Sequence, residues 1–217
     1  EKNTCHCIFE NHTETYDKIL IAIGRHSNLD FFNPNTCDLK ISNGFVKTND
    51  VFETNMKGIY AIGDVAGGSM LAHSAYEEGF RVIDHIMGKP FKINYACVPN
   101  VIYTSPELAS VGFSSQQLED NGVEYVKGSF NVAHNSRSKC YNKKWGECVV
   151  LAEKHTQQIL GVHLCAPGAS EIILSGIISV QNKLTLKDLE QIIFPHPCVS
   201  ESLKEAVLDA NNKSLHQ

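Results

Sequence analysis

Apolar and polar positions change their spacing several times along the chain, and each spacing points to a different element. Residues 4–9 and 15–23 read as two strands around the polar turn Asn11-His12. The second closes on the unbroken apolar run Ile19-Leu20-Ile21-Ala22-Ile23 before Gly24-Arg25. Residues 26–50 read as loop with short strand pieces. Ile59-Tyr60-Ala61-Ile62 reads as a short strand between Gly58 and Gly63-Asp64. The glycine turn Gly67-Gly68-Ser69 predicts a helix over 70–87 with an apolar stripe of Leu71, Ala75, Tyr76, Ile83, Ile86 and Met87. Gly79 marks a close approach on that helix, and Gly88-Lys89-Pro90 ends it.

At about residue 96 the pattern shifts to alternation. Strands are expected at 98–103, 107–113, 124–132, 146–153 and 158–165. Helices are expected at 114–121, opened by the capping box Ser114-x-x-Gln117, and at 168–182, 185–191 and 200–212. This is the order of an antiparallel sheet covered by helices, an α+β domain. The second of these helices carries Ile172, Ile173, Leu174, Ile177, Ile178 and Val180 and is apolar almost all round. Such a helix is buried, and a subunit interface is a natural place to bury it.

Bulk properties narrow the function classes. With 217 residues, 42% of them apolar and 20% charged, the chain can bury an ordinary globular core. A net charge of −5 without a Lys/Arg run argues against a nucleic-acid partner. The longest apolar stretch, 172–180, is too short to span a bilayer, so no membrane partner is expected. No signal peptide is visible, and the chain opens on Glu1 within a strand-like stretch, so it reads as a fragment. The eight cysteines lack the spacing of a disulfide framework, which fits a reducing compartment. Cys5-His6-Cys7 with His12 offers metal-ligand types. Alternate strand residues face opposite sides and no second cluster follows, so no metal site is expected.

Two stretches carry chemistry. In Phe194-Pro195-His196-Pro197-Cys198-Val199-Ser200-Glu201 an imidazole and a carboxylate stand five positions apart across a proline, at the start of the last helix. A carboxylate there can hold one ring nitrogen and leave the other to take a proton, an acid–base arrangement. The same residues also fit a plain capped turn followed by an acidic helix start. Earlier, the order strand, Gly63-Asp64, glycine turn, helix suits a cofactor. Asp64 would accept hydroxyl groups of a sugar or polyol, and the amides of Met70, Leu71, Ala72 and His73 would face a phosphate or a flavin ring. A capping role for Asp64 stays open.

Together these residues resemble a known family. Tyr60-Ala61-Ile62-Gly63-Asp64, Met70-Leu71-Ala72-His73 and His196-Pro197-x-x-x-Glu201 occur in the order and spacing of the pyridine-nucleotide disulfide oxidoreductases. With the run from Val98-Pro99-Asn100-Val101-Ile102-Tyr103-Thr104 to Pro106-Glu107, they are most similar to the dihydrolipoamide dehydrogenases; glutathione reductases differ at the Met-Leu-Ala-His segment. The resemblance implies an enzyme that uses FAD and NAD to oxidise protein-bound dihydrolipoyl groups. It implies that Asp64 binds the flavin ribityl chain, that Met70, Leu71, Ala72 and His73 lie along the isoalloxazine with their amides, and that Gly24 lies near the nicotinamide nucleotide. His196 would be the acid/base, oriented by Glu201, reaching across a homodimer interface to the partner's redox disulfide. The expected domains are the last strands of an NAD-binding domain over 1–23, the closing part of an FAD-binding domain over 24–95, and an interface domain over 96–217. The implied fold is thus α/β plus α+β. Expected partners are a second copy and the lipoyl-bearing subunits of 2-oxoacid dehydrogenase or glycine cleavage complexes. The expected location is the mitochondrial matrix or another organelle.

The chain also departs from the family. None of its fifteen glycines forms G-x-G-x-x-G, and no cysteines have the C-x-x-x-x-C spacing of the redox disulfide, so it is not expected to run the reaction alone. Segments 1–23 and 24–95, lacking partner strands, are expected to leave apolar edges open. Cys198 stands where the family carries Thr or a small residue, and reads as a resolving thiol or a compact stand-in. A sibling reductase for glutathione or mercuric ion is one alternative. The absence of a cysteine pair near Asn211-Asn212-Lys213-Ser214-Leu215-His216-Gln217 argues against the mercuric type. The other alternative is a non-catalytic dimerisation module.

Overall fold

The computed structural model describes residues 4–30, 32, 37–142 and 145–216. Residues 1–3 and 31 and 33–36 of the expected nucleotide-binding segments, and 143, 144 and 217 of the expected interface domain, lie outside the described residues. The chain divides into two compact units, 1–93 and 94–217.

The first unit is built from small pieces. Strands β1 (Cys5–Ile8) and β2 (Thr13–Tyr16) form an antiparallel hairpin with Cys5 opposite Tyr16. A second hairpin, β3 (Ile41–Ser42) and β4 (Phe45–Val46), turns on Asn43-Gly44, both with positive φ as a two-residue type I′ turn requires. The expected strand over 15–23 stops at Tyr16. A continuous apolar run is the pattern of a strand buried between neighbours, and without a neighbour Leu20 and Ile23 stand 90% and 94% exposed. Residues 59–62 likewise form no strand, only a single bridge from Tyr60 to Glu53.

Helix α1 (Ala72–Ile86) starts two residues later than the sequence pattern predicts. Met70 takes a left-handed φ of 52°, outside the helical region, which leaves Leu71 as the N-cap. The buried face is Ser74, Glu78 and Val82, whereas Tyr76, Ile83, Ile86 and Met87 of the expected apolar stripe face outward. Glu78 supports the preceding turn by accepting the Gly63 amide at 2.7 Å.

The second unit is an antiparallel sheet in the order β5 (Asn100–Ile102), β6 (Glu107–Gly112), β9 (Ile159–Ala166), β8 (Glu147–Glu153), β7 (Tyr125–Asn131). All five strands fall within the expected ranges to within a residue or so at either end. Helix α2 (Ser115–Asp120) opens with the predicted capping box, Ser114 accepting from the Gln117 amide at 3.2 Å and Gln117 from the Ser114 amide at 2.8 Å. A short helix α3 (Ser136–Cys140), capped by Asn135, was not evident from the pattern because it is barely one turn long.

Helices α4 (Ala169–Gln181) and α6 (Glu201–Ala210) pack on the sheet, and α5 (Leu186–Glu190) packs on α6. Val111, Val150, Val162, Leu164, Ile173, Leu189, Leu203 and Val207 share one core. Two glycines set how closely the helices approach. A Cβ at Gly128 on β7 would lie 2.0 Å from the Ala206 carbonyl, and one at Gly176 on α4 would lie 2.9 Å from the Val162 Cβ. Helix α4 buries Ile173 and Gly176 but leaves Leu174 and Ile178 exposed on its outer side. Its all-round apolar sequence therefore covers one sheet-facing stripe and one uncovered stripe.

Candidate functional site

The loop between α5 and α6 carries the imidazole. Phe194 packs against the core before it and buried Val199 anchors it afterwards, so the exposed residues between them are held at both ends. The His196-Pro197 bond is cis, and Pro197 precedes the helix by four residues instead of sitting in its first turn. Glu201 is the first residue of α6, where a carboxylate is favoured by the helix dipole.

From that position Glu201 places one oxygen 2.9 Å from His196 Nδ1 and accepts the Cys198 amide at 2.8 Å with the other. Both carboxylate oxygens are thereby used, and the ring is pinned through Nδ1. With Nδ1–H donated to the carboxylate, the neutral ring carries its lone pair on Nε2, the form of a base. The His196 side chain is 69% exposed, and among the described residues Nε2 has no partner. Asn135 adds a contact that the sequence pattern did not reveal. It is buried, caps α3 by accepting the Ser138 amide at 3.0 Å, and donates to the Cys198 carbonyl at 2.9 Å. Cys198 therefore enters the site through both of its main-chain groups, while its thiol is free and receives the Ser200 hydroxyl at 3.1 Å.

Beside the pair lies a cleft of about 70 Å³ lined by residues including Phe130, His134, Glu205 and His216. Small-molecule pockets run to roughly 300 Å³ or more, so this cleft by itself does not enclose a substrate beside the imidazole–carboxylate pair. A second imidazole–carboxylate pair borders the cleft one turn along α6. Buried Glu205 accepts His216 Nδ1 at 2.8 Å and the amides of Leu215 and His216 at 3.0 and 3.2 Å, fastening these two residues to the helix.

In the first unit Arg25 draws the other predicted positions together. Its guanidinium pairs with Asp64 at 3.4 Å and donates to the Met70 carbonyl, so Gly24-Arg25, the Gly63–Val65 turn and the entry to α1 adjoin one another. Leu71 caps α1 without a side-chain hydrogen bond, and Ala72 and His73 form the start of its first turn. Amides in a first turn have no acceptor within the helix and favour an outside acceptor with negative charge. The donor set and the adjacent carboxylate thus fit a flavin or nucleotide. Cys5, Cys7 and His6 lie on β1, with His6 against Thr15 at 3.0 Å and His12 against Glu14 at 3.2 Å. Among the described residues no group of three His, Cys, Asp or Glu side chains could hold a metal ion.

The chain is 40% identical over 205 residues to the mitochondrial dihydrolipoyl dehydrogenase of Pisum sativum, covering 92% of this chain and 40% of that one. It is 39% identical over 195 residues to the Caenorhabditis elegans counterpart, covering 89% and 39%. It thus spans about two fifths of the length of the curated relatives it matches. LpdA from Mycobacterium tuberculosis superposes with a TM-score of 0.83 at 27% identity, covering 90% of this chain and 43% of that one. The flavoprotein disulfide reductase RclA from Escherichia coli shares the fold, with a TM-score of 0.88 over 95% of this chain and 48% of its own. Residues 2–79 match the pyridine nucleotide-disulphide oxidoreductase profile, and residues 98–207 match the dimerisation domain of the same proteins. The chain belongs to the pyridine nucleotide-disulphide oxidoreductase family, and its second unit carries that family's dimerisation domain.

Proposed function

We propose that this chain is the later part of a homodimeric, FAD-dependent dihydrolipoyl dehydrogenase that passes electrons to NAD. The observation that carries the proposal is the Glu201–His196 contact through Nδ1, with Nε2 facing outward from a dimerisation domain. Residues 1–23 then close an NAD-binding domain, 24–95 close an FAD-binding domain, and 96–217 form the interface domain. Gly24 lies toward the nicotinamide nucleotide. Asp64 faces the flavin ribityl chain, and Met70, Leu71, Ala72 and His73 lie along the ring. Bound flavin would supply two-electron transfer between a dithiol and the nicotinamide.

This chain's own part is proton handling. Only a thiolate attacks a disulfide, and a free thiol titrates near ~8.5 against ~6.5 for an imidazole. Nε2 of His196 takes the proton of the attacking dihydrolipoyl thiol, and Glu201 stabilises the resulting imidazolium through Nδ1. The thiolate attacks a protein disulfide, which leaves as thiolate and thiol while the substrate closes to its own disulfide. That disulfide is not among the cysteines of this chain, and the open cleft beside His196 fits a site completed by a second subunit. Lipoyl-bearing subunits of 2-oxoacid dehydrogenase or glycine cleavage complexes are the proposed partners. The proposed location is the mitochondrial matrix or another organelle, supported by the word mitochondrial in the names of the two relatives.

The test is turnover by the complete protein containing this chain. Flavin-coloured protein that reduces NAD with dihydrolipoamide supports the proposal. A colourless dimer would leave only an interface module, and preference for glutathione disulfide would favour the sibling reductases.

A further inference from the structure

Lys204 follows Glu201 by one helical turn on α6, and its ammonium group does unusual work for a surface lysine. Nζ donates to the carbonyl oxygens of Leu189 at 3.2 Å and Ile192 at 2.8 Å, and also to that of Glu190. An ammonium has three donors, and all three are used on main-chain acceptors. The first two carbonyls end α5, where orphaned acceptors and the negative end of the helix dipole favour a cation. Nζ also lies 5.7 Å from the centre of the Phe194 ring, a cation–π distance. Phe194 stands two residues before His196.

Helix α6 therefore grips the His196 loop on both sides. Glu201 holds the imidazole and the Cys198 amide, while Lys204 holds residues 189–194 that deliver the chain to it. We propose that Lys204 is a positioning residue for His196: it fixes the upstream end of the loop so that the ring meets Glu201 and presents Nε2 at a set reach. This rests on the reading of His196 as the acid/base. A lysine that only capped α5 would affect stability and would lower turnover to the same degree whatever residue stood at 196.

The experiment is a mutant cycle in the full-length holoenzyme, with Lys204→Met and Lys204→Arg made in the wild-type and His196→Gln backgrounds. Displacing a catalytic group by about 1 Å can cost on the order of 100-fold, so Lys204→Met should lower kcat by ~10-fold or more, with KM for dihydrolipoamide within about twofold and flavin content unchanged. Lys204→Arg, which keeps the cation and its donors, should recover most of that loss. In the His196→Gln background, Lys204→Met should change kcat by less than about twofold, since residues acting as one unit are non-additive. An equal fold-loss in both backgrounds, or full turnover in Lys204→Met, would overturn the proposal while leaving the His196 reading in place. Full turnover in His196→Gln alone would overturn that reading instead. A crystal structure of the Lys204→Met or Lys204→Arg holoenzyme then decides the geometry independently of activity. An unchanged 2.9 Å contact between His196 and Glu201 in Lys204→Met contradicts the proposal, and a displaced ring supports it.

Discussion

Glu201 meets His196 Nδ1 at 2.9 Å with one carboxylate oxygen and the Cys198 amide at 2.8 Å with the other, so one side chain orients both the ring and the loop that carries it. Glu201→Gln preserves the shape and removes the charge. On the proposed acid/base role of His196, turnover should fall by ~10- to 100-fold, because the imidazolium would lose its counter-charge. Steady-state turnover of the complete enzyme checks this, and turnover within about threefold of wild type would mean that Glu201 does not share the proton chemistry.

Close packing at Gly128 predicts a large stability loss from one methyl group. An added Cβ would meet the Ala206 carbonyl at 2.0 Å and the Ala210 amide at 2.4 Å, both backbone atoms that cannot rotate away. Gly128→Ala should therefore destabilise the protein by about 3 kcal/mol or more, through displacement of α6 from β7. Urea unfolding measures this, and a change below about 1 kcal/mol would contradict the packing.

The Glu205–His216 pair predicts a fastened tail. Glu205 is 7% exposed and accepts three hydrogen bonds from Leu215 and His216. Glu205→Ala should release Leu215 and His216 to proteolysis and cost about 2 kcal/mol, the order expected for losing charge-assisted hydrogen bonds. Limited proteolysis with mass analysis of the cut sites reads the release directly.

Acid stability should follow carboxylates whose pKa is lowered by folding. The Thr156 hydroxyl and amide, with the His155 amide, hold Glu153 at about 2. The hydroxyl and amide of Ser170 lower Glu107 as well. A lowered folded-state pKa contributes stability above the unfolded value, near ~4.3 for Glu, and that contribution is lost as pH falls through the folded value. Melting temperature should therefore drop between about pH 4.3 and about pH 2. Glu153→Gln should flatten the slope in that window and leave it unchanged near neutrality. An identical slope in the variant would contradict this assignment.

Legibility in the sequence differed between the two units for physical reasons. In 94–217, period-two alternation, the Ser114–Gln117 capping box and the isoleucine-rich helix α4 each report local structure that the sheet then reinforces. In 1–93, the run 19–23 stands exposed, as expected of a segment that lacks its partner strands, but without them it does not form the expected strand, and most of the apolar stripe of α1 faces outward. The Asn43-Gly44 turn did carry its hairpin signal, though only a general loop with strand pieces was expected there. At the site, His196 and Glu201 were readable because five residues and a proline confine them locally. Asn135, 63 positions from Cys198, and Lys204, acting on carbonyls 12 to 15 positions away, were not, because only the folded chain brings them to the loop.

The most direct test of the central claim is steady-state turnover of His196→Gln in the complete protein, with dihydrolipoamide and NAD and with flavin content measured on the same sample. The predicted result is full flavin occupancy with kcat lowered by ~100- to 10,000-fold, the range of a lost general acid–base. Turnover within about threefold of wild type would show that the proton of the substrate thiol goes elsewhere, and the acid/base role of His196 would be wrong.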